Sequence, residues 1–321
     1  MKTLKLLKIG FIGNPLDELN LNPDTPSFDS TWQLMEYGEK HAKDGLNVRY
    51  IPDRSVEYRN GKIWGTSYQI TNLKEKIKLI HEKKEELETF DALIIRKDPP
   101  FDTTYLVLVQ LLMQIQGKTQ IINSPKALAQ FNEKINILIF PEYAPASLVS
   151  RNTIEIKEFI AKQKNGVVVK GLDNKGGSNI FKLTKNDPNI NEILTQITKE
   201  ETVYIMCQEY LNIEKTGDKR ITVIDGQVVG GFLRRPGKGD FRGNINKGAT
   251  AEIAIISGKE KAMAEKIATY FLRHNVGIIG IDVIEGKCTE INITSPLLSK
   301  KFMPEVEKIF YDYVRKQCSK Q

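Results

Sequence analysis

The sequence predicts an α/β protein of two or three packed subdomains with a parallel sheet at its N-terminal end. Three features carry that expectation. The first third alternates strand-like and helix-like runs in βαβ order, which feeds a parallel sheet. Beyond residue 125 strand-like runs come in pairs around glycine turns, as antiparallel hairpins do. A chain of 321 residues also exceeds one ordinary core.

Lys8 to Ile12 reads as the first strand, because Lys5 and Lys8 interrupt the apolar run and no small-residue cleavage site follows, as a signal peptide would need. Gly13-Asn14-Pro15 turns the chain into a polar loop, and Asp29 or Ser30 supplies the N-cap of a helix from Thr31 to Lys43 that Asp44-Gly45 ends. Val48 to Ile51 is the second strand. The mixed-sign stretch Asn72 to Glu88 reads as an exposed helix face. Asp91 to Ile95 is a buried-strand run that delivers Arg96-Lys97-Asp98-Pro99-Pro100-Phe101-Asp102 to a proline-stiffened loop. A cationic pair there suits a carboxylate-bearing ligand, since a guanidinium can grip a carboxylate with two hydrogen bonds; an ion pair with Asp98 or Asp102 is the competing use. An apolar helix, Thr104 to Gln116, and the strand and turn Ile121 to Pro125 complete a first domain, residues 1–125.

The segment Asn132-Glu133-Lys134 lies on or near a helix, Phe140-Pro141 is a break, and Ser147 to Ser150 a short strand. Val167 to Lys170 is a strand ending in lysine, and Ile180 to Leu183 is another, with Gly176-Gly177 between them. Bare amides in such a turn can close over phosphates, with Lys170 as a point charge beside them. The chain has no GxxxxGK[ST], so a P-loop is not its route to a nucleotide. Val203 to Leu211 is a strand and its exit. Gly217-Asp218-Lys219-Arg220 leads into Ile221 to Ile224, the Asp225-Gly226 turn and a second arm, Gln227 to Leu233. Arg234-Arg235-Pro236 opens a glycine-rich loop with Asp240, Arg242, Gly243 and Asn244, and a helix follows from Gly258 to Arg273. Arginines clustered ahead of a carboxylate pair fit negative charge that develops during phosphoryl or acyl transfer; surface salt bridges are the alternative.

The chain's chemistry concentrates between Gly277 and Pro296, two β-branched, alternating runs around Gly286. A three-residue loop, Glu285 to Lys287, sets Asp282 opposite Glu290 with Asn292 on the same face; a two-residue loop splits them, because side chains alternate along a strand. Three oxygen ligands together suit Mg²⁺, a hard ion usually shared with nucleotide phosphates, whereas solvated acids on an outer face are the bland use of the same residues.

The formal net charge of +7 leaves polyanion binding open, but the lysines are spread along the chain without a basic run interleaved with aromatics. A solvated lysine-rich surface is expected, without nucleic acid. Cys207, Cys288 and Cys318 lack a CxxC spacing and His41, His81 and His274 are scattered, which excludes a disulfide framework and a zinc hydrolase. No apolar run reaches the roughly 18 residues that span a bilayer. Reduced thiols and no membrane partner point to the cytoplasm.

Several strings together resemble the ATP-grasp superfamily, and within it the bacterial glutathione synthetases: Ile95 to Thr103, Asn132-Glu133-Lys134, Lys170 to Asp173 with Gly176-Gly177, Gly217 to Arg220, Arg242-Gly243-Asn244 and Asp282 to Pro296. They occur in the family's order over almost the full length. The resemblance implies an ATP-grasp fold with an N-terminal parallel α/β domain (1–125), a small central lid domain (126–202) and a mainly antiparallel C-terminal α+β domain (203–321). It implies ligation of γ-glutamylcysteine to glycine, with ATP and Mg²⁺ (or Mn²⁺), through an acyl phosphate, and a homo-oligomer, commonly a tetramer. By position, Lys134 and Lys170 would hold phosphates under Gly176-Gly177. Glu209, Tyr210 and Leu211 would border adenine, with Asp218 near the ribose. Asp282, Glu290 and Asn292 would carry the metal. Arg220, Arg234 and Arg242 would neutralise the transferring phosphoryl group, and Arg96, Asn244 and Ser295 would face the other substrates. The family's lid Gly-Met-Gly-Gly is replaced by Asn174-Lys175-Gly176-Gly177, and its Thr-Gly-Ile-type continuation after Pro296 by Leu297 to Lys301. A ligase with a different amine acceptor is therefore the second reading, and a catalytically silent nucleotide-binding or nucleic-acid-binding protein the third.

Overall fold

The computed structural model describes residues 6–15, 30–71, 78–173, 180–237 and 250–320, with backbone alone at 71 and 78. The N-terminal part comprises β1 (Leu7–Gly13), α1 (Thr31–Lys40), β2 (Leu46–Pro52), β3 (Glu57–Arg59), β4 (Lys62–Thr71), β5 (Lys78–Glu86), β6 (Ala92–Ile95), α2 (Thr103–Met113), β7 (Gln120–Ile122) and α3 (Pro125–Gln130). Its strands form one seven-stranded sheet in the order β3-β4-β2-β1-β6-β7, with β5 on β4. β1 pairs in parallel with β2 and β6, and β6 with β7, as the βαβ order predicts. β1 is buried on both faces, which is why it reads as a nearly continuous apolar run.

A four-stranded antiparallel sheet follows, from β8 (Ser147–Ser150), α4 (Thr153–Lys162), β9 (Val167–Gly171), β10 (Ile180–Leu183), α5 (Ile190–Ile197) and β11 (Ile205–Glu209), ordered β10-β9-β11-β8. It has a core of its own, with Ile156, Ile160, Val169, Leu194 and Ile205. The last part holds α6 (Ile213–Thr216), β12 (Asp218–Ile224), β13 (Gln227–Arg235), β14 (Thr250–Ile253), α7 (Gly258–Leu272), β15 (Ile278–Ile284), β16 (Lys287–Asn292) and α8 (Val306–Cys318). Its sheet runs β14-β13-β12-β15-β16. This sheet shares its cores with the N-terminal one: Leu93 and Val109 cluster with Ile221 and Ile291, and Phe11 and Trp32 with Phe232 and Phe310.

Several expectations are corrected here. Of Asn72 to Glu88, Lys78–Glu86 is strand β5, antiparallel to β4, and Leu87 and Glu88 enter a short 3-10 turn. The inward position of β5 carries Glu85, buried and ion-paired with Lys8 at 2.7 Å and bonded to Ser67 at 2.5 Å, so a strand hides behind a polar sequence. α1 ends at Lys40, before a short 3-10 turn, Ala42–Asp44. Ser30 makes no side-chain cap, and Asp29 lies outside the described residues. The Ser30 hydroxyl instead accepts from Arg96 and from the Leu298 amide. No helix among the described residues is long and apolar enough to cross a membrane.

Candidate active site

The β15–β16 hairpin places the acids together by a route the sequence does not show. Ile284 pairs with Lys287, so the turn is the two-residue Glu285-Gly286, both at positive φ (50° and 75°), as a type I′ turn requires. Left alone, that turn would set Asp282 opposite Thr289. A β-bulge after Val283 and Cys288 leaves Thr289 unpaired and restores Asp282 opposite Glu290 and Gly280 opposite Asn292. The expected register is present, and the expected three-residue loop is not.

Register across the sheet completes the cluster. Arg220 on β12 lies opposite Asp282, and Asp218 lies opposite Arg234 on β13. Arg220 grips Asp282 with two nitrogens, Nε on Oδ1 and Nη2 on Oδ2 at 2.7 Å. Arg234 Nη2 reaches Asp218 at 2.6 Å and Asp282 at 3.1 Å. From outside the sheet, Lys134 Nζ comes within 3.4 Å of Glu290, and Lys170 Nζ donates to the carbonyl of the bulged Thr289 at 3.2 Å. Lys134, Lys170, Arg234 and Asp282 are all buried.

Burial pushes the Asp282 carboxyl up, but Arg220 and Arg234 outweigh it and hold it at about 2. Glu290 is likewise lowered, burial being overcome by Lys134 and Lys170. Burial lowers Lys170 against the opposing pull of Glu290. For Asp218 burial wins over the pull of Arg234 and, with the like charge of Asp282 beside it, raises its carboxyl. Among the described residues Lys134, Lys170, Arg220 and Arg234 thus face Asp218, Asp282 and Glu290, and the buried Glu133 carboxyl lies near enough to be raised by Glu290 as well as by burial.

The remaining expected residues divide. Tyr210 and Leu211, at the exit of β11, are buried, and Lys182 from β10 sits 3.4 Å over the Tyr210 ring. Lys287, the first residue of β16, meets Glu209 at 3.3 Å. Arg96 is turned inward: it donates to the Pro296 carbonyl at 2.9 Å, to Thr31 at 3.2 Å and to Ser30 at 3.1 Å. These bonds brace the N-terminal sheet against the segment after β16. Lys97 pairs with Asp53 at 2.6 Å. Ser295 stands between Thr294, bonded to Glu133, and Pro296, bonded to Arg96. Gly176, Gly177, Arg242 and Asn244 lie outside the described residues.

Asp282, Glu290 and Asn292 share one face and offer side-chain oxygens, the Asn292 amide nitrogen being taken up by the Gly280 carbonyl at 3.2 Å. That donor chemistry fits a hard divalent ion. Sequence reasoning missed Asn123, whose amide oxygen accepts from the Gly277 and Ile278 amides while its nitrogen donates to the Ile278 and Ile293 carbonyls. No local pattern marks it, because its partners are far along the chain.

Comparison with known proteins matches residues 7–129 to the N-terminal domain of prokaryotic glutathione synthetase and residues 133–305 to its ATP-grasp domain. The chain belongs to the prokaryotic glutathione synthetase family. A relative, the glutathione synthetase of Photorhabdus laumondii, is 33% identical over 311 residues, covering 96% of this chain and 95% of that one. Among solved structures, D-cycloserine synthetase DcsG superposes with a TM-score of 0.71 at 11% identity, covering 97% of this chain and 99% of that one. The ATP-grasp ligase PsnB, solved with a phosphomimetic variant of its minimal precursor, Mg and ADP, superposes with a TM-score of 0.63 at 16% identity, covering 98% and 99%. These two likenesses concern the fold, which is ATP-grasp. As a member of the glutathione synthetase family, the chain is an ATP-dependent ligase that forms a C–N bond.

Proposed function

We propose that the chain joins γ-glutamylcysteine to glycine with ATP, releasing glutathione, ADP and phosphate, and that the β12, β13, β15 and β16 face is where it does so. The observation that carries this reading is the register that puts Asp282 and Glu290 side by side under two arginines and two lysines. The cysteinyl carboxylate attacks the γ-phosphorus, the bond to ADP breaks, and an acyl phosphate forms. The glycine amine then attacks the acyl carbon, loses a proton and expels phosphate.

Lys134 and Lys170 hold phosphates as buried point charges, and Arg220 and Arg234, with Arg242 assigned by resemblance, neutralise charge on the transferring group. Asp282, Glu290 and Asn292 would hold Mg²⁺, or Mn²⁺ in its place, which would supply charge neutralisation on the phosphates. Glu209 to Leu211 border the base, with Asp218 near the ribose. Among the described residues no histidine lies in the cluster: His41 follows α1, His81 is on β5 and His274 follows α7. Positioning and charge are therefore the main levers, as phosphoryl transfer requires.

Incubating the protein with ATP, Mg²⁺, γ-glutamylcysteine and glycine, and following ADP release, tests the reading. Release that needs both acids is the expected result; turnover only with another amine removes glycine as acceptor. The second outcome has a structural motive, because Leu297 to Lys301 replaces the family's segment and is fixed on α1 by Gln33, which bonds Leu298 O and Lys300 N. We place the enzyme in the cytoplasm as a homo-oligomer, a tetramer by family resemblance, and sedimentation should then give four times the 36.5 kDa chain mass.

A further inference from the structure

We propose that Asn132-Glu133-Lys134 works as one positioning unit, in which Asn132 and Glu133 fix the Lys134 ammonium by tying its loop to β16 and its exit, beside Glu290 and Asn292, and to the exit of β9, beside Lys170. The Glu133 carboxylate oxygen Oε1 accepts three hydrogen bonds, from the Ile293 amide at 2.7 Å, the Thr294 amide at 2.9 Å and the Thr294 hydroxyl at 2.8 Å. Its backbone carbonyl accepts from the Ile291 amide at 3.0 Å. Asn132 folds the loop back on itself by accepting from the Lys134 and Ile135 amides at 3.0 and 3.2 Å, and its amide donates to the Leu172 carbonyl at 3.1 Å.

The addresses of these bonds separate a positioning role from general stability. Ile291 lies between Glu290 and Asn292, Ile293 and Thr294 lie between Asn292 and Ser295, and Leu172 is two residues beyond Lys170. Each bond ends within two residues of a group assigned to phosphate or metal. A lysine has a long, flexible stem, so holding its ammonium in one place costs rotamer entropy, and a loop already fixed beneath it spares the further cost of ordering the backbone when phosphate binds. Glu133 supplies that fixing as an acceptor. A glutamine of the same shape keeps Oε1, whereas alanine leaves two amides and a hydroxyl unpaired beneath the site.

This inference rests on the assignment of Lys134 to phosphate, so its test reads nucleotide affinity rather than ligation. The dissociation constant of ADP is measured by calorimetry in Mg²⁺ buffer for wild type, Glu133→Ala, Glu133→Gln and Asn132→Ala. Asn152→Ala, which removes the N-cap of α4 in the central sheet, serves as a stability control. Glu133→Ala and Asn132→Ala should weaken ADP at least tenfold and leave γ-glutamylcysteine affinity within twofold, with Glu133→Gln within threefold of wild type. The proposal is overturned if Glu133→Ala binds ADP like wild type, if Glu133→Gln fails as Glu133→Ala does, or if affinity falls no more than in Asn152→Ala at an equal loss of Tm. A wild type that binds ADP but does not join γ-glutamylcysteine to glycine removes the acceptor assignment and leaves the positioning unit standing. A wild type that binds no nucleotide sinks both.

Discussion

Replacing Asp282 by asparagine isolates the charge at the centre of the site. The carboxylate is buried, gripped by Arg220 through both oxygens, and shared with Arg234. It is held at about 2 instead of the ordinary 3.8, so its charged surroundings contribute roughly 2 kcal/mol to stability at neutral pH. A lowered carboxyl stabilises the fold above its unfolded value and loses that contribution as pH falls through its folded one. The Asp282→Asn variant should therefore melt lower at pH 7, by roughly 3 °C for a chain of this length, and its deficit should close between pH 4 and pH 2. Thermal melts of wild type and Asp282→Asn at pH 7, 5 and 3 read this directly. The variant takes the carboxylate from Arg220 and one of two carboxylates from Arg234, so its loss comes from arginines left short of a partner. Equal or higher stability of the variant at pH 7 refutes the reasoning: repulsion among Asp218, Asp282 and Glu290 would then outweigh the attraction of the arginines.

Gly286 is at φ 75° with nothing near a Cβ placed there, so Gly286→Ala should cost about 1 to 2 kcal/mol from backbone strain alone; urea unfolding with no loss would contradict the type I′ turn. A Cβ on Gly280 would come within 2.9 Å of the Arg220 side chain and 3.0 Å of Pro296, so Gly280→Ala should move Arg220 off Asp282. Ligase kcat is expected to fall about tenfold with the circular dichroism spectrum unchanged, and an unchanged kcat would argue against a catalytic Arg220. Burial raises the Glu85 carboxyl, but Lys8, Ser67 and Lys83 together hold it at about 2. Because Lys83 reaches it from solvent, Glu85→Gln should cost only about 1 to 2 kcal/mol at pH 7, fading as pH drops from 4.5 towards 2; a pH-independent loss would assign the effect to packing.

Much of this was legible in the sequence where local pattern and tertiary demand agree. β1 and β6 are apolar because both faces are covered, and the run of β-branched residues around Gly286 gives the hairpin. The β3–β4 hairpin carries a local signal of its own: Asn60-Gly61, at φ 52° and 82°, is the favoured dipeptide of a type I′ turn. β5 was hidden because its inward Glu85 is satisfied by partners on β1 and β4, and no window of sequence reveals a buried ion pair. The Asp282 register does not follow from the two-residue turn alone, and the bulge at Thr289 that restores it has no residue signature. The bond from Arg96 to the Pro296 carbonyl is equally invisible in sequence, because its partner lies 200 residues along the chain. Glu133 stood in full view beside Lys134, but its partners Ile293 and Thr294 lie in the last quarter of the chain.

The most direct test of the account is a crystal structure of the protein with Mg²⁺ and a non-hydrolysable ATP analogue. Oxygens of Asp282, Glu290 and Asn292 should lie about 2.1 Å from the ion, with Lys134 and Lys170 on the phosphates it bridges. A nucleotide bound elsewhere, or one bound here while Asp282 stays fully closed by Arg220 and Arg234 and the metal sits on other ligands, would contradict it.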